Sequence, residues 1–262
     1  MRFISEYRRA DLARPLIARI AARSRTPASF MEFCGGHTVT IFRHGIRQVV
    51  PETIAMRSGP GCPVCVTANK DLDKAIALAR VPGVILATFG DMVKVPGSRS
   101  SLQAAKAEGA DIRVVYSTLD ALEIAREHPD RPVVFLGIGF ETTAPTVAAS
   151  ILEAAEAGIE NYSVLALHKL SPPAIRVLLD AKETAINGII APGHVSTIVG
   201  SAAWEFIARD YGIPCVVTGF EPLDVLQAIE RLVAQVEAGE AHVERSRTAG
   251  PCNPRGTPWR SG

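Results

Sequence analysis

The chain has 262 residues, with 28 lysines and arginines against 27 aspartates and glutamates, and is long enough for one large α/β domain or two smaller ones. Charge so evenly balanced, without a block of one sign, excludes nucleic acid and an acidic membrane surface as expected partners. Five cysteines without a secretory signal are too few for a disulfide scaffold, so a reducing compartment, the cytoplasm, is expected, where clustered thiols serve metal or redox chemistry.

In chain order, "MRFISEYRRADLARPLIARIAARS" alternates arginine with apolar residues at helical spacing and predicts an amphipathic surface helix. No stretch approaches the roughly 18 apolar residues of a membrane span. Next comes "MEFCGGHT", where Cys34 precedes Gly35, Gly36 and His37. Glycines let the backbone approach a bulky group on sulfur, and the histidine is placed to donate a hydrogen bond or to favour the thiolate, the form that binds soft metals. Alone, this motif is a weak signal, since a single cysteine is more often structural.

The more specific motif is "GPGCPVC", a Cys-x-x-Cys pair of Cys62 and Cys65 followed by a helix expected to open near Thr67. A helix N-terminus would favour thiolate at either cysteine. Structural zinc wants four ligands, and no second Cys-x-x-Cys with finger spacing is present, so a redox dithiol is the better reading. Cys215, inside "GIPCVVTGF", reads as a small core residue.

Downstream, "GVILATF", "DIRVVYS", "PVVFLGIGF", "YSVLALH", "NGIIAPG" and "PCVVTGF" read as buried strands, separated by Ala- and Leu-rich helical segments. That alternation predicts an α/β fold of mostly parallel sheets flanked by helices. Residues 83–125 and 188–229 follow one template, pairing Gly90 with Gly193, Asp91 with His194 and Asp120 with Asp224. We therefore expect two similar lobes related by internal duplication. The expected division is an N-terminal helix and Cys-Gly-Gly-His loop over 1–50, a first lobe over 51–130, a second over 131–240 and a disordered tail over 241–262.

Ligands of open α/β sheets bind beyond the carboxyl ends of the strands. Asp91, Glu141, His168, Lys169, His194 and Glu221 all fall there, so one shared edge is expected to gather Cys34, Cys62, Glu141 and His194 in a single cleft. Glu141, after a wholly apolar strand, is a candidate proton-active acid, and His194 a proton donor or turn residue. Asp91 and Glu221 serve equally well as helix caps.

Together "FMEFCGGHTVTIFRHGI", "GPGCPVCVT", "TFGDMVKVPGS", "GIGFETTAPT", "HKLSPPA", "APGHVSTIVG" and "GFEPLDVL" resemble the HypD family of hydrogenase maturation factors, densely from about residue 5 to residue 243. The resemblance implies a metallocofactor-assembly scaffold for nickel–iron hydrogenase, rather than a conventional turnover enzyme. On it an iron carrying two cyanides and one carbon monoxide, Fe(CN)2CO, is built for the hydrogenase large subunit. It further implies that Cys34 is the iron ligand with Gly35 and Gly36 leaving room for the diatomic groups, that His37 tunes or protonates the site, and that Cys62 and Cys65 relay electrons. The implied partners are the small chaperone HypC and the cyanide-supplying HypE and HypF. The family's 4Fe-4S cluster needs four cysteines in a C-terminal segment, where this chain offers only Cys252. A thiol-disulfide oxidoreductase using Cys62 and Cys65 without iron is the alternative.

Overall fold

The structure, a computed structural model, describes residues 5–183 and 185–246. The disordered tail expected over 241–262 is corrected at Val243–Arg245, a strand that pairs with Cys215–Val217, while Cys252 and the rest beyond residue 246 lie outside the described residues. The chain forms two units: Met1–Cys62 with Ser171–Gly262, and Pro63–Leu170.

The first unit opens with a 3-10 turn, Ser5–Arg8, and helix α1, Ala10–Arg23. Strand β1, Ala28–Glu32, leads into α2, Gly35–Arg43, then the short α3, Ile46–Val49, and strand β2, Ile54–Ser58. The second unit contributes α4, Asn69–Ala79; β3, Ile85–Phe89; α5, Leu102–Ala107; β4, Asp111–Val115; and α6, Thr118–Glu127. It closes with β5, Val133–Gly137; α7, Ala144–Glu156; and β6, Tyr162–Ala166. The chain then returns to the first unit through α8, Ser171–Ala181; β7, Gly188–Pro192; α9, Gly193–Val199; and α10, Glu205–Tyr211. Strand β8, Cys215–Thr218, helix α11, Pro222–Ala238, and strand β9, Val243–Arg245, complete it.

Both sheets are parallel throughout, in the orders β2-β1-β7-β8-β9 and β4-β3-β5-β6. Successive side chains of a strand point to opposite faces, and burial on both faces follows that period. In the first unit Ala28, Phe30, Ile190 and Val216 pack with Ile20 of α1, Ile41 of α2 and Ile229 of α11. Their neighbours Met31, Ile189, Cys215 and Val217 pack with Ile175 of α8, Trp204 and Ile207 on the other face. In the second unit Leu86, Val134 and Leu136 meet α4 and α5, whereas Ile85, Ala87, Val133 and Phe135 meet α6 and α7. Each unit is thus a sheet between two helical layers.

The two stretches of the sequence template fall in different units and have the same order. Parallel neighbours β3 and β4 are joined through helical turns and followed by α6, as β7 and β8 are followed by α11. The paired aspartates do the same work: Asp120 completes a capping box with Ser117 at α6, and Asp224 completes one with Glu221 at α11. For Glu221 the capping reading holds.

The division expected at residues 130 and 131 cuts through the second sheet, because β3 hydrogen-bonds both β4 and β5. The N-terminal segment likewise is no separate piece, since β1 is the middle strand between β2 and β7. The physical reason is that β1 pairs the backbone groups of both its edges only with a strand on each side, and one of them, β7, comes from beyond residue 187. Among the described residues, no helix is long and apolar enough to cross a membrane.

Phe135 has no exposed surface and meets Phe89 edge to face at 5.3 Å. Phe135→Ala is expected to destabilise the second unit by about 3–5 kcal/mol, read as a lower urea midpoint together with lost amide-exchange protection in β3 and β5.

Candidate functional site

Cys34 stands two residues past the end of β1 and is the N-cap of α2, with extended φ −157 and ψ 131. Its sulfur accepts the Gly36 N–H at 3.4 Å, so the thiol caps its own helix. The loop of the second motif lies against it. Gly59 donates its N–H to the Glu32 carbonyl at 2.7 Å, and Gly35 donates to the Gly61 carbonyl at 3.3 Å. A Cβ on Gly61 would lie 2.8 Å from the Cys34 Cα, closer than real contacts allow, so only glycine lets the two motifs meet. Gly36 is constrained too, since its Cβ would come within 2.9 Å of the Phe220 ring. A Cβ on Gly35 would meet the Gly61 carbonyl oxygen at 3.8 Å, an ordinary contact.

His37 is fully buried and stacks on Phe220, ring centroids 4.6 Å apart, while His194 meets the same ring edge-on at 5.0 Å. The His37 Nε2 lies 2.9 Å from the Gly219 carbonyl, which can only accept, so Nε2 carries the hydrogen. Nδ1 is then a bare acceptor, buried and without a hydrogen-bond partner. Thr40 donates to the Phe220 carbonyl at 2.5 Å, tying α2 to the turn after β8. Arg8 clamps that turn from outside with bonds of 2.5 and 2.8 Å to Glu221, whose carboxyl it holds below its ordinary range.

Beneath the thiol sits Glu32, which the sequence reading did not single out. It has no exposed surface, accepts the Cys34 N–H at 2.9 Å, and accepts the Thr38 hydroxyl. Burial pushes its carboxyl up, against the hydrogen bonds of Thr38, Cys34 and Ser58 and the charge of Arg47. Its one signal in the sequence is an acid inside the apolar run "SFMEF".

Burial also pushes the Cys34 thiol up, opposed by the N–H groups of Gly36 and His37, with the Glu32 charge adding to the rise. Burial lowers the pKa of His37 to about 4, so the ring is neutral at physiological pH. Peptide N–H groups, not an imidazolium, are what favour sulfur's anion.

The shared edge expected from the sequence is two edges. Cys34, His194 and Phe220 follow the parallel β1, β7 and β8 of the first unit. Asp91, Glu141 and His168 follow β3, β5 and β6 of the second. The first unit therefore brings together Cys34, Gly35, Gly36, His37 and His194 with the Gly59–Gly61 approach to Cys62. Glu141 is buried just before α7, and the partly buried His168 packs on Gly137. The chain passes from one unit to the other inside the Cys-x-x-Cys motif, with Cys62 in the first and the exposed Cys65 in the second. Helix α4 begins at Asn69 rather than near Thr67, because the Thr67 hydroxyl bonds back to the Pro63 carbonyl at 2.8 Å and closes a separate turn. Cys215 is wholly buried in β8 and its thiol is driven far up by desolvation, as befits a core residue.

Among the described residues no group of three or more histidines, cysteines or acids could hold a metal ion by itself. A metal here would lean on one thiolate and bring ligands of its own. The N–H groups at the start of α2 that favour the thiolate and the bare Nδ1 of His37 fit such an arrangement. A four-thiolate set is not offered by these residues, Cys215 being sealed in the sheet.

The family model HypD, described as the hydrogenase formation hypA family, matches residues 11–249. Hydrogenase maturation factor HypD of Rhodobacter capsulatus is 49% identical over 251 residues, covering 93% of this chain and 67% of that protein. The HypD proteins of Azotobacter vinelandii and Escherichia coli are 48% and 44% identical, covering 95% and 93% of this chain and 68% and 67% of theirs. The chain thus spans about two thirds of the length of these relatives.

With a folded pKa of about 4 against an ordinary 6.5, His37 binds its proton in the unfolded chain before the folded one. Its contribution to stability is complete above pH 6.5 and is lost as pH falls towards 4, by on the order of 3 kcal/mol. Urea denaturation between pH 7 and 4 is expected to show a steeper loss in the native protein than in His37→Gln.

Proposed function

The chain belongs to the HypD family, and on that premise we propose that it acts in the maturation of nickel–iron hydrogenase as a scaffold for an iron carrying two cyanides and one carbon monoxide. The iron group is cargo, received and handed on. The observation that carries this reading is the half-buried Cys34 thiol in its glycine cradle, where Gly61 and Gly36 admit no side chain.

Each residue then has a defined task. Cys34 holds the iron through sulfur, and the N–H groups of Gly36 and His37 offset the charge of its thiolate. His37, neutral and anchored to the Gly219 carbonyl, tunes the site as a fixed uncharged ring whose buried Nδ1 has no hydrogen-bond partner. Phe220 packs against both histidine rings, stacked on His37 and edge-on to His194. Cys62 and Cys65 form the redox pair, releasing two electrons and two protons when they close to a disulfide. Glu141 and His194 are proton-handling candidates in their own units.

The partners in this reading are the small chaperone HypC, which shares the iron, the cyanide-supplying HypE and HypF, and through HypC the hydrogenase large subunit, all in the cytoplasm. Infrared spectra of the protein co-expressed anaerobically with HypC are expected to show cyanide and carbonyl stretches. Cys34→Ala should lose those bands and its iron while keeping its circular dichroism spectrum. Bands that persist in Cys34→Ala overturn the assignment. A native complex without iron, in which Cys62 and Cys65 still reduce disulfides, favours an iron-free oxidoreductase.

A further inference from the structure

Among the described residues Glu32 is the only carboxylate with no exposed surface. It ends β1, the strand hydrogen-bonded on both sides, with Ser58 and Ile190 as its register partners. On the same face of that strand Ala28 and Phe30 pack against the helices as apolar residues do. A third apolar side chain would seal the sheet without desolvating a charge, so the acid serves something other than the sheet.

Its hydrogen bonds show what. One oxygen takes the Cys34 N–H at 2.9 Å and the other takes the Thr38 hydroxyl. Thr38 in turn gives its N–H to the Cys34 carbonyl at 3.2 Å. A single carboxyl group therefore brackets the first turn of α2 at both ends, from a strand whose own last carbonyl is tied to the Gly59 N–H.

The need for such a bracket follows from the thiol's double duty. Cys34 caps α2 through its sulfur, by a 3.4 Å bond from Gly36. When sulfur engages a ligand, the ligand's pull competes with that single bond in setting the direction of the thiol, so the cap alone fixes it weakly. We propose that Glu32 is a positioning residue for Cys34, holding the turn from residue 34 to residue 38 so that the thiol keeps one direction whether or not its sulfur is engaged. This inference rests on the reading of Cys34 as the iron-holding thiol, and it assigns Glu32 no contact with the iron.

The test uses the full chain, alkylated anaerobically with N-ethylmaleimide at one fixed pH, with the Cys34 peptide quantified by mass spectrometry. Ferrous iron alone is the probe, added or withheld. In Glu32→Ala, Cys34 is expected to react several-fold faster without iron, and the iron concentration giving half protection to rise by about tenfold or more, the usual size of losing a ligand's support. Glu32→Gln can accept from the Cys34 N–H with its carbonyl and donate to the Thr38 hydroxyl with its amide, so both values should stay near native. Thr38→Val removes one anchor of two and is expected to fall between, a comparison that stands even where Glu32→Ala does not fold.

Native values in Glu32→Ala overturn the inference, as do native values in Thr38→Val. A change in Glu32→Gln as large as that in Glu32→Ala overturns it too, because charge rather than position is then what matters. If ferrous iron fails to protect Cys34 even in the native chain, that result speaks only to the bare ion, which these residues do not hold by themselves, and the metal-free rates of the same variants decide the positioning role.

Discussion

Because β1 and β7 run parallel with Glu32 opposite Ile190, the turns that follow them leave the sheet side by side, and the site takes its geometry from that register. The same holds one strand further, where Pro192 lies opposite Thr218 and brings Gly193-His194 next to Gly219-Phe220. Two links that place α2 presuppose it, from His37 to Gly219 and from Thr40 to Phe220, while the Gly61 approach follows from the pairing of β1 with β2. A slip of one residue in β1 would turn Glu32 to the opposite face, away from Thr38, and place Met31 or Phe33 under the thiol.

The electrostatics follow from how deeply this edge is packed. Burial works against every ion here, raising the thiol of Cys34 and the carboxyl of Glu32 and keeping His37 neutral. Fixed peptide dipoles at the start of α2 oppose that penalty at the sulfur, since they are in place before any charge forms.

Much of this was open to reading before any coordinates. Six strands were recognisable as apolar β-branched runs, and the helices between them by their alanine and leucine content. Strands β1, β2 and β9 escaped because polar residues interrupt them, each with a local partner. Ser29 accepts from Arg57 at 2.6 Å and takes part in the join to Asn187, Glu32 serves the turn above it, and Glu244 bonds Gln235 at 2.8 Å. A polar side chain satisfied inside a sheet looks, in one dimension, like a loop residue.

The sequence by itself determined the alternating α/β pattern, the paired aspartates of the two templates, and the chemistry available at each motif, because strand periodicity, capping and thiol reactivity depend on near neighbours. Only the tertiary structure decided that β1 belongs with strands lying well over a hundred residues later, that the strand-end residues divide between two sheets, and that His37 is neutral. Those are matters of which surfaces exclude water from one another. Strand neighbours and desolvation are set by contacts between segments far apart in the chain, and no local pattern of residues records them.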